Sequence, residues 1–232
     1  MNPQTRLFEQ AERAYEYWRL VEVTQRSESL HTFQAQLANQ EPALAAITAR
    51  QLAQGLELLQ ESISLDGPTG ETNELYLAPR GVTLLVQQQE GTSGRIAIAV
   101  QLIMALMAGN SVMLCSQDRA FVQTVEQAWQ STAQPTNLVQ CCSLESYADI
   151  VKQAIRVTGF VGSEAMAIEL NRRLAQKKGY IIPLVTETDM VQLPQAHDMM
   201  LLLRFCTERT RTINITAVGG NATLLELGKP PH

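Results

Sequence analysis

From Gly81 onward the chain repeats one unit, a short apolar run followed by a helical segment, and that alternation limits the fold more than any other feature. Gly81-Val-Thr-Leu-Leu-Val86 reads as a strand buried on both faces. Residues 95–108 place Ile96, Val100, Ile103, Met104 and Met107 at helical spacing, and Gly109-Asn110 supplies a helix C-cap before the next strand, Ser111-Val-Met-Leu-Cys115. The pattern continues with helix at 119–131, strand at 137–142, helix at 144–153, strand at 157–161, helix at 163–177 and strand at 180–185. Strands that take turns with helices across short links must run parallel, because a right-handed crossover returns each strand to the same edge. The expectation is an α/β protein with a doubly wound, Rossmann-like parallel sheet.

Two flanking regions break the pattern. Residues 4–22 carry Leu7, Ala11, Ala14, Tyr15, Trp18 and Val21 on one helical face. A second helical stretch runs from Phe33 through Leu37 and, after Pro42 as a first-turn residue, through Leu44, Ile47, Leu52, Leu56 and Leu59. Asp66-Gly-Pro-Thr-Gly70 is a turn, since glycine supplies positive φ and proline fixes φ near −65°. At the other end, residues 199–205 and 211–218 read as two strands joined by a polar corner at 207–210, a β-flap outside the main sheet. The expected division is a helical region with linker over 1–74, a Rossmann-like domain over 75–198, and a flap with tail over 199–232.

Composition narrows the functional classes. A net charge of −5 gives no broad basic surface for a phosphate backbone, so nucleic acid is not expected as a partner. The longest apolar run, near residues 96–108, is too short to span a bilayer, and Met1 is not followed by an apolar leader, so the expected location is the cytoplasm. Cys115, Cys141, Cys142 and Cys206 lack the spacing and neighbouring histidines of a zinc site and read as core thiols; no metal is expected. His31, His197 and His232 form no Ser/His/Asp order, and no Gly-x-Ser-x-Gly turn is present.

Five short segments occur in an order that resembles the aldehyde dehydrogenase superfamily: Pro79-Arg-Gly81, Met107-Ala-Gly-Asn110, Val112-Met-Leu-Cys-Ser-Gln-Asp118, Gly159-Phe-Val-Gly-Ser163 and Val185-Thr-Glu-Thr-Asp189. Three further segments resemble the proline utilization A family of bifunctional flavoenzymes, which oxidise proline to glutamate: Ala14-Tyr-Glu-Tyr-Trp18, Leu65-Asp-Gly-Pro-Thr-Gly-Glu-Thr-Asn73, and the run from Arg211 through Gly219-Gly-Asn221 to Gly228. The resemblance implies the C-terminal aldehyde dehydrogenase-like domain of such an enzyme. It also implies a tail, carried by Arg211, Asn214, Thr216, Gly219, Gly220 and Asn221, that adds strand to a neighbouring domain or a second copy. FAD and NAD would then belong to the parent enzyme.

The departures from that pattern point away from catalysis. Where the superfamily has a lysine for the adenosine ribose, Cys115 carries no ammonium group. Gly162 and Ser163 keep a strand-to-helix turn able to receive a pyrophosphate, and equally able to act only as a tight turn and helix cap. Glu187 occupies the place of the general base, with Asp189 where glycine would let the backbone approach a nicotinamide. Too few residues separate Glu187 from Arg211 to hold a catalytic domain, and Cys206 sits in an apolar run without the nucleophile motif. Arg209 and Arg211 flank Thr210, where they could pair with carboxylates on an adjacent sheet. The expected role is therefore a non-catalytic lid for intermediate channelling and an assembly element, without its own cofactor. The alternative is a vestigial NAD- or nucleotide-binding regulatory module at Gly162, Ser163 and Glu187, and a homodimer is expected through the flap.

Overall fold

The computed structural model describes residues 3–60, 62–67 and 71–214. Helix α1 (Pro3–Trp18) buries Phe8, Ala11, Ala14 and Trp18 along one face, as the spacing predicts. Helix α2 (Val23–Gln40) begins ten residues before the Phe33 that marks it in sequence, because its first turns turn polar groups inward. Arg26 is buried there and its Nη1 donates to the Met107 carbonyl at 2.8 Å, closing the end of the helix that follows β3. That end needs glycine: Gly109 has φ +94°, and a Cβ there would lie 2.3 Å from Arg26 Nη1. A 3-10 turn at Pro42–Leu44 then leads into α3 (Ala45–Gln60).

Strand structure starts earlier than the sequence pattern suggests, with β1 (Ile63–Leu65) and β2 (Glu71–Pro79) antiparallel to each other. Five parallel strands follow: β3 (Val82–Gln87), β4 (Ser111–Ser116), β5 (Val139–Ser143), β6 (Val157–Val161) and β7 (Leu184–Glu187), in the spatial order β5-β4-β3-β6-β7. Winding outward from β3 in one direction and from β6 in the other makes the sheet doubly wound, with its topological switch point between those two strands. The intervening helices are α4 (Gly91–Met107), α5 (Arg119–Gln130), the single turn α6 (Tyr147–Ile150), α7 (Glu164–Ala175) and α8 (Pro194–His197).

Three expectations are corrected. Strand β7 starts at Leu184 instead of Tyr180, because Pro183 has no N–H to donate and contributes only its carbonyl, to Thr158 N at 2.9 Å. Tyr180 and Ile181 lie exposed in the preceding loop. Beyond β7, the short helix α8 ends at His197. The run 199–205 is not a strand: Leu201–Phe205 forms a 3-10 helix that buries Leu201, Leu202 and Phe205, an i, i+1, i+4 pattern. The polar stretch 207–210 is no corner either. It lies inside the continuous strand β8 (Cys206–Asn214), which pairs antiparallel with β2 from Pro79↔Cys206 to Glu71↔Asn214. The flap is thus a three-stranded sheet, β1-β2-β8.

The N-terminal helices close one core with the sheet. Trp18, Leu30, Phe33, Leu37 and Leu52 pack with Ile98, Leu102 and Leu106 of α4. Trp129 meets Trp18 and Phe33 edge-on, with centroids 6.4 and 5.4 Å apart, and Trp18 Nε1 donates to the Leu106 carbonyl at 2.8 Å. Arg95 of α4 forks onto Asp118 at 2.7 and 2.9 Å and reaches Glu41 at 2.6 Å, while Asp118 also accepts from Phe121 N to cap α5.

At the opposite end of the sheet, Asn110 is fully buried and joins three segments. Its Oδ1 accepts from the Arg80 and Gly81 amides at 2.8 and 2.9 Å, and its Nδ2 donates to the Phe205 carbonyl at 3.0 Å. One side chain thereby fixes the start of β3, the end of α4 and the root of the flap.

Candidate functional site

In an open doubly wound sheet, ligands bind outside the C-terminal ends of the strands at the switch point. Here that place is formed by the loops after β3, β6 and β7, where all three sequence-predicted residues meet. Gln88 N and Gln89 N donate to the Val161 carbonyl at 2.8 and 3.2 Å, and Gly162 N donates to the Glu187 carbonyl at 3.1 Å, so the loops are stitched together by main chain.

The Gln88 side chain occupies the mouth of this crevice. Its Oε1 accepts from both the amide and the hydroxyl of Ser163, at 2.8 and 2.9 Å. Ser163 stands at the N-cap position of α7, but its hydroxyl is given to Gln88 and does not cap the helix. The N–H that would meet a pyrophosphate oxygen already has an internal acceptor. Gly162 is required by the same packing: a Cβ there would fall 2.5 Å from Gln88 Oε1 and 2.7 Å from Phe160 Cζ. Gln88 was visible in sequence only as part of a glutamine-rich stretch, since nothing in residue type or spacing marks a side chain that will fold back onto a helix start.

Glu187 ends β7 and is buried. Its Oε2 accepts from Gln195 N at 2.7 Å and Ala196 N at 3.0 Å, anchoring α8, while Oε1 is buried without a hydrogen-bond partner among the described residues. Burial raises its pKa above the usual carboxylate value, and the two amide bonds offset this in part. Asp189, exposed, accepts from Val191 N and Gln192 N, which holds its pKa below the ordinary value.

Cys206 begins β8, opposite Pro79, and is buried. Desolvation pushes its thiol up to about 12 despite the neighbouring Arg26 and Arg80. That is the opposite of what a nucleophilic thiolate requires. Cys115, where an ammonium group would meet a ribose, is also buried. Three features depart from a dinucleotide site: Gln88 accepts from the Ser163 amide at the start of α7, Cys115 is a buried thiol, and one oxygen of Glu187 accepts from two main-chain amides.

Of the tail residues, Arg211 and Asn214 lie in β8, where Arg211 forms an ion pair with Glu74 of β2 and Asn214 stands in register with Glu71. Thr216, Gly219, Gly220 and Asn221 lie outside the described residues. No helix among the described residues is long and apolar enough to cross a membrane, and they contain no cluster of metal-ligating side chains.

No protein-family model matches the chain. The bifunctional protein PutA of Escherichia coli strain K12 is 27% identical over 164 residues, covering 71% of this chain and 11% of that protein. The crystal structure of a bifunctional proline utilization A protein superposes with a TM-score of 0.68 and 23% identity over 83% of this chain and 23% of its own. A 1-pyrroline-5-carboxylate dehydrogenase from Thermus thermophilus gives a TM-score of 0.68 at 16% identity, covering 80% of this chain and 42% of the enzyme's. The chain thus spans about a tenth of the curated relative it matches and less than half of each of these structures. In sequence the chain is similar to part of a bifunctional PutA protein, and in fold to part of proline utilization A and of 1-pyrroline-5-carboxylate dehydrogenase.

Proposed function

We propose that this chain serves a proline-catabolic enzyme as a non-catalytic lid and assembly domain. In this reading it covers the route along which a reactive semialdehyde passes between a flavin-dependent and a pyridine nucleotide-dependent site. FAD and NAD are held elsewhere, in other domains of the same polypeptide or in partner proteins, and the complex works in the cytoplasm. The carrying observation is the Gln88 side chain seated on Ser163, which fills from within the place where a dinucleotide phosphate would rest. A scaffold of cofactor-domain shape whose helix start is already engaged by its own Gln88 side chain is better suited to shielding a neighbour's chemistry from water than to performing it.

The flap supplies the means of attachment. Among the described residues β8 is the edge strand of the three-stranded sheet, a position from which a neighbouring sheet can be extended through main-chain hydrogen bonds. In the assembled enzyme, deletion of residues 211–228 should lower coupled conversion of proline to glutamate several-fold while flavin reduction by proline continues. Unchanged coupling would overturn the proposal.

One observation favours a second reading, a regulatory nucleotide module. A recess of about 500 Å³ lies at the C-terminal ends of β4 and β5, lined in part by Ser116, Arg119 and Ser143. Titration calorimetry with NAD and with AMP separates the readings, since micromolar binding of either would establish the module and displace the lid.

A further inference from the structure

Beside the same recess two thiols stand in register on neighbouring strands, a pair that the lid reading does not use. Strands β4 and β5 run parallel and side by side, and their register sets Cys115 opposite Cys142. Paired positions on neighbouring strands project to the same face of the sheet, whereas the adjacent Cys141 must project to the other. Cys115 is completely buried among Met113, Val86 and Phe8, with Cys142 packed against that cluster. Cys142 is half-buried, and it and Cys141 both line the recess, so what distinguishes Cys142 is a second thiol in register with it. Cys141 packs instead toward the α4–α5 side of the core.

We propose that Cys142 is a peroxide-reactive thiol and Cys115 its resolving partner, the two forming a reversible disulfide across β4 and β5. The oxidant is a hydroperoxide small enough to enter the recess. The Cys142 thiolate attacks the distal peroxide oxygen, an S–O bond forms as the O–O bond breaks, and the departing oxygen leaves as alcohol or water after taking a proton. Cys115 sulfur then attacks the sulfenic acid sulfur. The S–S bond forms, the S–O bond breaks, and the hydroxyl leaves as water with the Cys115 proton. Each thiol gives up one electron and one proton, and the peroxide is reduced by two electrons.

The electrostatics agree with these roles. The interaction between the two thiols, with burial, pushes Cys115 well up, and the same interaction holds Cys142 below the usual thiol value against the burial that would raise it. Burial raises Cys141 far above it. Neighbouring strands run roughly 4.8 Å apart, inside the Cα separation a disulfide tolerates. Side chains on parallel strands point alongside each other instead of converging, so the bridge would be strained and readily reduced.

The test uses the full chain. Brief treatment with substoichiometric hydrogen peroxide, followed by non-reducing peptide mapping, should yield one product that has lost two hydrogens and links the Cys115 and Cys142 peptides, reversed by dithiothreitol. Before oxidation, alkylation at neutral pH should modify Cys142 roughly tenfold faster than any other cysteine. Cys115→Ser and Cys115→Ala should instead trap sulfenic acid on Cys142, detectable with dimedone. Cys141→Ser, which leaves the buried member of the pair in place, should form the same bridge as the parent chain. A bridge from Cys141 to Cys142, absence of any bridge, or equal alkylation of the cysteines would each overturn the proposal.

Discussion

Glu187 holds two backbone amides with one carboxylate oxygen and leaves the other buried without a partner. Its raised pKa has a definite consequence for stability. Between the unfolded carboxylate value, about 4.3, and the higher folded value, the native state binds more protons than the unfolded chain. Its contribution is therefore most favourable below the unfolded pKa and declines as pH rises through the folded one. Glutamine keeps an acceptor for both amides without the charge, so the urea midpoint of the parent chain should fall relative to Glu187→Gln as pH increases across that window. Parallel midpoints at every pH would contradict this. Glu187→Ala removes the acceptor and should cost about 1–3 kcal/mol at neutral pH in the same experiment.

Among the elements, the junction at Asn110 explains in physical terms why Pro79-Arg-Gly81 and Met107-Ala-Gly-Asn110 occur together. The first segment offers two amides, the second an acceptor at a glycine-capped helix end, and the strands cannot start in register without that meeting. Asn110→Ala leaves two amides and the Phe205 carbonyl unpaired at a buried site and should lower stability by about 2–4 kcal/mol, measured by denaturant unfolding. The parallel sheet was legible because its strands are continuous apolar runs between helical segments. The start of α2 was not, because Arg26 and Ser27 occupy its buried face. The 3-10 helix at Leu201–Phe205 was misread because a short apolar run has no period to separate strand from helical turn. At the crevice, motif order singled out Gly162, Ser163 and Glu187, while Gln88, whose side chain bonds Ser163 there, carries no motif at all.

At the scale of the whole molecule, helices cover the parallel sheet, and among the described residues none covers β1-β2-β8. Ile63, Leu65, Tyr76 and Ile213 are exposed on that flap. Such a surface favours pairing with another chain, so the isolated protein should associate as its concentration rises through the micromolar range in sedimentation velocity. Ile63→Lys combined with Ile213→Lys should shift it toward monomer. Identical sedimentation of the parent and the double variant would remove the flap as the cause. The pairing of β2 with β8 also sets a timetable. Glu74 meets Arg211, its contact 137 residues further along the chain, only after the entire intervening domain has left the ribosome. Until β8 emerges, β2 is paired with β1 alone, and its other edge stays open to capture by a chaperone or by the β8 of a sister polypeptide.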